Sequence, residues 1–372
     1  MSVRFLTAVS GRAFNMRDRF GREIDYMRIS VIDSCNLNCY YCNPQDNNKN
    51  CQAINILSVK KVLCIVRAAT RLGITHFRLT GGEPLLHPQI DEMVSQIKKI
   101  PGVRSVSLTT NAVLLAQHAK QLKEAGIDSI NVSLDTIDAS EYEHITKKPL
   151  LHKVEQGIDA AIECGIRVKI NAVLTPQTDV VALTRYASKK GTDIRFIEMM
   201  PVGEGHTNGV EPYEKVIGAL LEVYGTPCYI DTENREEINS GYNNADNGPA
   251  EYYSFHGLDI RVGLIQAIHG KFCDTCNRIR VTADGRLMPC LGSSVTMDLV
   301  PDSCEFTDDL EKDFVIVQAL KAAIKAKPGC HNFNDNAVTY TKTTETKTVE
   351  TKTTELKAAE VNAARNMSRI GG

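Results

Sequence analysis

Three cysteines fall within one short stretch, CNLNCYYC: Cys35, Cys39 and Cys42. Thiolates ligate iron–sulfur clusters, and a four-iron cubane offers one iron to each of four ligands. Three thiolates leave one iron open to a small molecule that chelates through an amine and a carboxylate. A zinc knuckle is the bland alternative, but it uses four ligands at paired CxxC spacing. A second triplet lies in FCDTCNRIRVTADGRLMPCL, where Cys273 and Cys276 form a CxxC pair and Cys290 follows. A CxxC alone fits zinc or a redox pair, and His269 could complete a zinc site. Arg278 and Arg280 flank Ile279 just after Cys276. On an extended backbone both guanidiniums point one way, and arginine suits bidentate phosphate binding. With Arg28, Arg78 and Lys169 they would ring one cavity with cations, enough for a triphosphate of about −4 charge. A solvated run of surface charge is the alternative. It leaves unexplained why each cation sits on a strand or beside a cysteine.

The elements that must position these groups alternate. Strands are predicted near 27–32, 75–80, 106–111, 129–135, 167–175 and 193–201. Helices are predicted near 58–72, 88–99, 114–125, 151–164 and 179–190, the first with Ser58 as N-cap and Gly73 as its stop. Such alternation builds a parallel sheet with crossover helices. The expected fold class is α/β, a partial (β/α)6 TIM-type barrel with its chemistry at the C-terminal strand ends. Those ends are polar. Gly81 and Gly82 would let a ligand approach the backbone, and Glu83 would offer a carboxylate to an ammonium, although Gly-Gly-Glu-Pro alone is only a tight turn. Thr109, Thr110 and Asn111 end the third strand; Asn131, Ser133 and Asp135 share a face of the fourth; Lys169 and Asn171 share one on the fifth. The sixth reads RFIEMMP. Buried charges need partners, and strand ends converging on one mouth favour a ligand pocket over a satisfied polar core.

The division expected is 1–205 for the barrel core and 206–333 for a C-terminal region that carries the second triplet and closes the mouth. That region holds a helix near 212–224 and a loop through NREEINSGYNNADNGPAEYY. Residues 334–365 form a low-complexity Thr/Lys/Glu linker. A tail, 366–372, ends in Gly371 and Gly372. The formal net charge of −2 excludes a nucleic-acid binder that relies on bulk electrostatics. No secretory signal or membrane span is expected. Twelve cysteines then imply a reducing compartment, the cytoplasm, and metal rather than disulfides. Cys51, Cys64, Cys164, Cys228, Cys304 and Cys330 share no spacing and are expected to pack or stay free.

CNLNCYYC resembles the signature of the radical S-adenosylmethionine enzymes, and GGEP resembles the motif that holds the methionine amino group. DRFGREIDYMRIS, FRLTGGEPLL, LTTNAVLL, INVSLD, VKINAV, RFIEMMP, FCDTCNRIRVTADGRL and the terminal Gly-Gly extend the likeness. Together they resemble the family of molybdenum cofactor biosynthesis protein A, the GTP 3′,8-cyclases, from about residue 18 to 333 and again at the C-terminus. The resemblance implies a lyase with two [4Fe-4S] clusters and S-adenosyl-L-methionine. Cys35, Cys39 and Cys42 would hold the first cluster; Cys273, Cys276 and Cys290 the second, whose open iron binds guanine. Tyr41, Gly82, Ser133 and Met200 would contact S-adenosylmethionine. Arg28, Arg78, Thr109, Lys169, Arg278, Ile279 and Arg280 would contact GTP, and Gly371 and Gly372 would reach into the pocket. A 5′-deoxyadenosyl radical would take hydrogen from ribose C3′, the C3′ radical would add to guanine C8, and a reduction would close the product, 3′,8-cyclo-7,8-dihydro-GTP.

The implied partners are an electron donor such as flavodoxin or ferredoxin, the downstream cyclic pyranopterin monophosphate synthase, and a second copy in a homodimer; nucleic acid and membrane are not expected. The chain departs from the family at His76, where lysine is common, at Ala112, where TTNG reads TTNA, and in the tract at 334–365. A neutral His76 would weaken the field on the phosphates, and Ala112 is expected to be a small change. A radical S-adenosylmethionine enzyme that modifies a peptide, with an auxiliary C-terminal cluster, is the second reading. A non-enzymatic redox or zinc scaffold is the third.

Overall fold

The computed structural model describes residues 16–42, 54–201, 213–229, 249–270, 272–293, 295–299, 309–331 and 333. Cys51, Cys304, the tract at 334–365, Gly371 and Gly372 lie outside them.

Alternation along the strand Tyr26–Ser30 (β1) sorts its side chains. Met27 and Ile29 are fully buried in the apolar core, while Tyr26 and Arg28 face a cavity on the other side. The same sorting recurs along the chain. After β1 come α1 (Val59–Thr70), β2 (His76–Thr80), α2 (Ile90–Lys98), β3 (Ser105–Thr110), α3 (Leu115–Glu124) and β4 (Ser129–Ser133). Then follow α4 (Ala139–Thr146), α5 (Leu151–Glu163), β5 (Arg167–Val173), α6 (Val180–Lys190) and β6 (Asp193–Ile197). Side-chain caps begin several helices: Ser58 Oγ accepts the Lys61 N–H at 3.3 Å, and Asp138 and Asp179 accept from Glu141 and Ala182 at 2.8 Å each. Each cap satisfies a donor that the helix itself leaves open. The apolar faces of the helices and the inner residues of the strands form one continuous core, with Phe77 and Phe196 fully buried in it.

The sheet does not stop at six strands. The later elements are α7 (Tyr213–Tyr224), β7 (Cys228–Tyr229), β8 (Glu251–Ser254), β9 (Val262–Ile265), β10 (Arg278–Val281), β11 (Arg286–Met288), β12 (Met297–Asp298) and α8 (Asp309–Ala326). The strand order is β12-β11-β10-β1-β2-β3-β4-β5-β6-β9-β8-β7. From β10 through β1 to β6 and on to β9, every pairing is parallel, and the antiparallel strands β11–β12 and β8–β7 finish the two edges. The C-terminal region therefore adds a parallel strand to each side of the six expected ones. The end of the predicted loop is one correction, because Glu251–Ser254 pairs as β8 with β9. Side chains from β10 and from β9 line the same cavity, so the sheet curls around it as an open barrel. No helix among the described residues is long and apolar enough to cross a membrane.

Parallel register puts rows of side chains on the concave face. Arg280, Arg28, Arg78 and Ser107 stand side by side across β10, β1, β2 and β3. The row one pleat below reads Arg278, Tyr26, His76 and Ser105.

Candidate active site in the curl of the sheet

A cavity of about 540 Å³ fills the concave side. Both cysteine triplets line it, and so do Tyr41, Gly82, Ser133 and Met200, with Arg28, Arg78, Thr109, Arg278 and Arg280.

The first triplet follows β1 in a loop clamped by the Gly-Gly-Glu-Pro turn. Gly82 N donates to Ile32 O at 2.7 Å, and Glu83 N donates to Ser34 O at 2.8 Å. A Cβ on Gly82 would lie 2.7 Å from Asp33 O and closer still to Ser34 O, both backbone. Without side chains the two glycines admit the cysteine loop on one side and line the cavity on the other. Glu83 is buried and accepts from Thr110 Oγ1 and Asn111 N at 2.7 Å each, and from Leu85 N at 3.0 Å. Burial pushes its carboxyl up to about 7 against those bonds. Across the loop, Tyr41 donates its hydroxyl to Asp135 Oδ2 at 2.5 Å, and Asp135 also accepts from Val173 N at 2.8 Å. The phenol is thereby tied to the end of β4.

The thiols behave as a set. Burial raises Cys35 to about 11, and Glu83 adds to it. Burial raises Cys42 to about 12, with Cys35 and Asp135 adding, and lifts Cys39 well above its ordinary value, with Cys42, Asp135 and Cys35 adding. Three thiolates that repel one another in a dry pocket are stabilised by a shared cation, and binding one displaces their protons. In the second triplet burial raises Cys273, with Cys290 and Cys276 adding to the rise, whereas at Cys276 the burial effect is outweighed by Lys327, Arg278 and the Arg278 N–H. Among the described residues, no three His, Cys, Asp or Glu side chains close on a single ion. A cubane spreads its irons apart, so three thiols around one need not meet at a point. Two thiol-only sets, each with three members, fit clusters with an open corner. His269 is not among the residues that line the cavity with the second triplet; its Nδ1 pairs with Glu198 Oε1, and Glu198 also accepts from Ile268 N at 2.6 Å.

A long-range clamp holds the second triplet. Arg22 is buried, its Nε on Asp18 Oδ2 at 2.6 Å. Its Nη1 donates to Cys273 O at 2.6 Å, and its Nη2 donates to Pro328 O at 2.6 Å. Lys327, buried at the end of α8, donates to Arg278 O at 2.8 Å and to Pro289 O at 3.1 Å. The turn before β1 and the segment after α8 thus grip the cysteine loops from two sides.

Cations dominate the floor. Burial holds the Arg28 guanidinium well below its ordinary value, and Arg280 beside it adds to that. Burial also lowers Arg280, to about 10, with Arg278 adding. Tyr26 sits among them: Arg78 Nε donates to its hydroxyl, and the Arg278 guanidinium carbon lies 5.8 Å from its ring centre. Burial raises the Tyr26 phenol, but Arg78, Arg28 and Arg278 outweigh it. Arg78 Nη1, Thr109 Oγ1 and Arg195 Nη2 are buried without a hydrogen-bond partner among the described residues. Orphaned donors beside crowded cations suit a polyanion.

Several expectations need correction. Ile279 is 1% exposed and packs in the apolar core, because it alternates with Arg278 and Arg280; only its backbone is left for a ligand. Lys169 does not line the cavity; it lies one pleat below Asn171, 1% exposed and near the Tyr252 ring. Burial pushes its ammonium down to about 5, with Arg195 and Arg167 adding. His76 also lies below the lining, its Nδ1 2.7 Å from Ser105 Oγ, and burial lowers it. Ala112 is not a small change, since it sits at φ 62°, where glycine is favoured. Sequence reasoning missed Arg195 and Tyr26, although RFIEMMP had been singled out and Tyr26 shares a face with Arg28. Lys327 and His331 also line the cavity; nothing in their local sequence marks them.

The chain matches the Radical SAM superfamily over residues 29–183 and Molybdenum Cofactor Synthesis C over residues 192–333. It is 36% identical over 322 residues to a GTP 3′,8-cyclase of Clostridium perfringens, covering 86% of this chain and 95% of that one. The chain belongs to the GTP 3′,8-cyclase family. A cyclase of this family from Clostridium acetobutylicum is 36% identical over 88% of this chain and 98% of its own. The S-adenosylmethionine-bound crystal structure of Streptococcus suis SuiB shares the fold, with a TM-score of 0.54 and 16% identity over 82% of this chain and 68% of that chain. The cyclase family uses the α/β sheet of radical S-adenosylmethionine enzymes, with the cofactor set of two clusters and S-adenosylmethionine.

Proposed function

We propose that this chain converts GTP to (8S)-3′,8-cyclo-7,8-dihydroguanosine 5′-triphosphate, the first step of molybdenum cofactor biosynthesis. The observation that carries the reading is the row Arg280–Arg28–Arg78 in one cavity with both cysteine triplets. When bound, the first cluster and S-adenosylmethionine supply the 5′-deoxyadenosyl radical that starts closure of ribose C3′ onto guanine C8.

The protein's own groups bind, orient and exclude. Cys35, Cys39 and Cys42 hold the first cluster, and Cys273, Cys276 and Cys290 the second. Tyr41, Gly82, Ser133 and Met200 contact S-adenosylmethionine, with the Glu83 carboxylate facing its ammonium. Arg28, Arg78, Thr109, Arg278, Arg280 and Arg195 hold the triphosphate. Fixing both reactants in a dry cavity turns an encounter into an intramolecular step. The same reading gives Gly371 and Gly372, which lie outside the described residues, a place in the pocket as a proposal. The domain division at 205, a cytoplasmic location, a flavodoxin or ferredoxin donor, handover to a cyclic pyranopterin monophosphate synthase, and a homodimer belong to the same reading.

Anaerobic incubation of cluster-loaded protein with GTP, S-adenosylmethionine and dithionite tests it. The cyclised nucleotide is expected with 5′-deoxyadenosine. 5′-Deoxyadenosine without a cyclised nucleotide would reject the substrate and favour peptide chemistry.

A further inference from the structure

His331 follows α8 and lines the cavity beside the second triplet. Its ring is held on several sides. Nε2 lies 2.7 Å from Ala267 O. The Phe333 ring centre is 4.4 Å away. Gly292, two residues past Cys290, has no room for a side chain, because a Cβ there would meet His331 Cβ at 2.8 Å. The His331 backbone N–H bonds to Cys273. The ring is thus wedged between the loops of two cysteines in the triplet.

A carbonyl can only accept, so Nε2 carries the proton, and in the neutral ring Nδ1 keeps its lone pair. Nδ1 is buried and has no hydrogen-bond partner among the described residues. An acceptor in this state stands ready for a donor on a ligand. The cavity's other orphaned atoms are guanidinium nitrogens and one hydroxyl, Arg78 Nη1, Arg195 Nη2 and Thr109 Oγ1; they suit the phosphate end of a nucleotide. His331 stands instead at the cysteine end, where a base would lie.

We infer that His331 is a specificity-determining residue, its Nδ1 accepting a hydrogen bond from the 2-amino group of the guanine base. This rests on the GTP reading above. Hypoxanthine has a hydrogen in place of that amino group and is otherwise the same purine, so inosine triphosphate isolates the contact. A site built around a substrate N–H discriminates against the analogue that lacks it.

The test is equilibrium binding of GTP and ITP to cluster-loaded protein under anaerobic conditions, with iron content measured alongside. Wild-type protein is expected to hold GTP about ten-fold more tightly than ITP, the scale of one hydrogen bond. His331→Phe should bind ITP as wild type does and GTP no better. His331→Asn, whose Oδ1 takes the place of Nδ1, should restore the preference. A Phe variant that still favours GTP overturns the inference. So does one that loses both nucleotides together, which is the mark of a structural role, or wild-type protein that binds the two equally. If wild-type protein binds neither nucleotide, the cyclase reading itself falls, and this inference with it.

Discussion

Arg280 stands directly across from Arg28 where β10 pairs in parallel with β1. Two like charges at neighbouring positions in a partly dry site raise the energy of the ligand-free protein. A polyphosphate removes that penalty on binding. Replacing Arg28 by Met should therefore leave the ligand-free protein as stable or up to about 1 kcal/mol more stable. The same change should weaken GTP by about ten-fold or more through loss of a charge-assisted contact. Thermal melts and equilibrium dialysis measure the two effects. A loss of stability with unchanged GTP binding would contradict the account.

Glu83 gives a pH signature. Its folded-state value of about 7 lies above its ordinary 4.5. Between those values the folded protein keeps a proton that the unfolded chain has lost, so this group's contribution to stability falls as pH rises through that window. A cationic amine beside the carboxyl favours the ionised form and expels the proton. S-adenosylmethionine affinity should then rise from pH 6 to pH 8. Glu83→Gln should flatten the dependence and weaken binding by about ten-fold. Cofactor titrations across pH, on protein with its iron intact, decide the matter.

Gly82→Ala tests the clamp on the first cysteine loop. The new methyl would collide with the backbone of Asp33 and Ser34, which cannot yield without moving Cys35. Iron should drop from about eight to about four per chain, and the lost portion should be the one that S-adenosylmethionine perturbs in electron paramagnetic resonance. Full iron loading would show that the loop tolerates displacement.

Arg22→Met tests the opposite clamp. It strips the donors from Cys273 O and Pro328 O and leaves Asp18 buried without its cation, at a cost of about 3–5 kcal/mol. The second cluster should be lost first, again seen as about half the iron, with S-adenosylmethionine binding retained. Loss of both clusters together would mean that the whole fold fails.

What the sequence disclosed follows from the range of each signal. Alternation from β1 to β6 is local, since periodicity and caps such as Ser58 are written within a dozen residues. The cysteine triplets are local too. The pairing of β10 with β1 joins residues some 250 positions apart, and a four-residue strand carries no pattern that names its neighbour. The motif read as a stretch does not show that alternation along the strand sends the Ile279 side chain away from its two arginines and into the core. The sequence does not show how deep Lys169 lies, because a shared face does not fix depth and one pleat separates it from Asn171, which lines the cavity. Arg22, Lys327 and His331 act through contacts with distant backbone, and their own surroundings in the sequence do not differ from those of ordinary polar residues.

β10 begins two residues after Cys276 and ends one residue after Arg280. A thiol at the head of this strand and a guanidinium near its tail stand four positions apart, about 13 Å of extended chain. The sheet holds Arg278–Val281 from both sides, so the part of the interval inside the strand has a fixed rise. It works as a ruler. On the GTP reading proposed above, a nucleotide that touches both marks turns its base toward one and its phosphates toward the other.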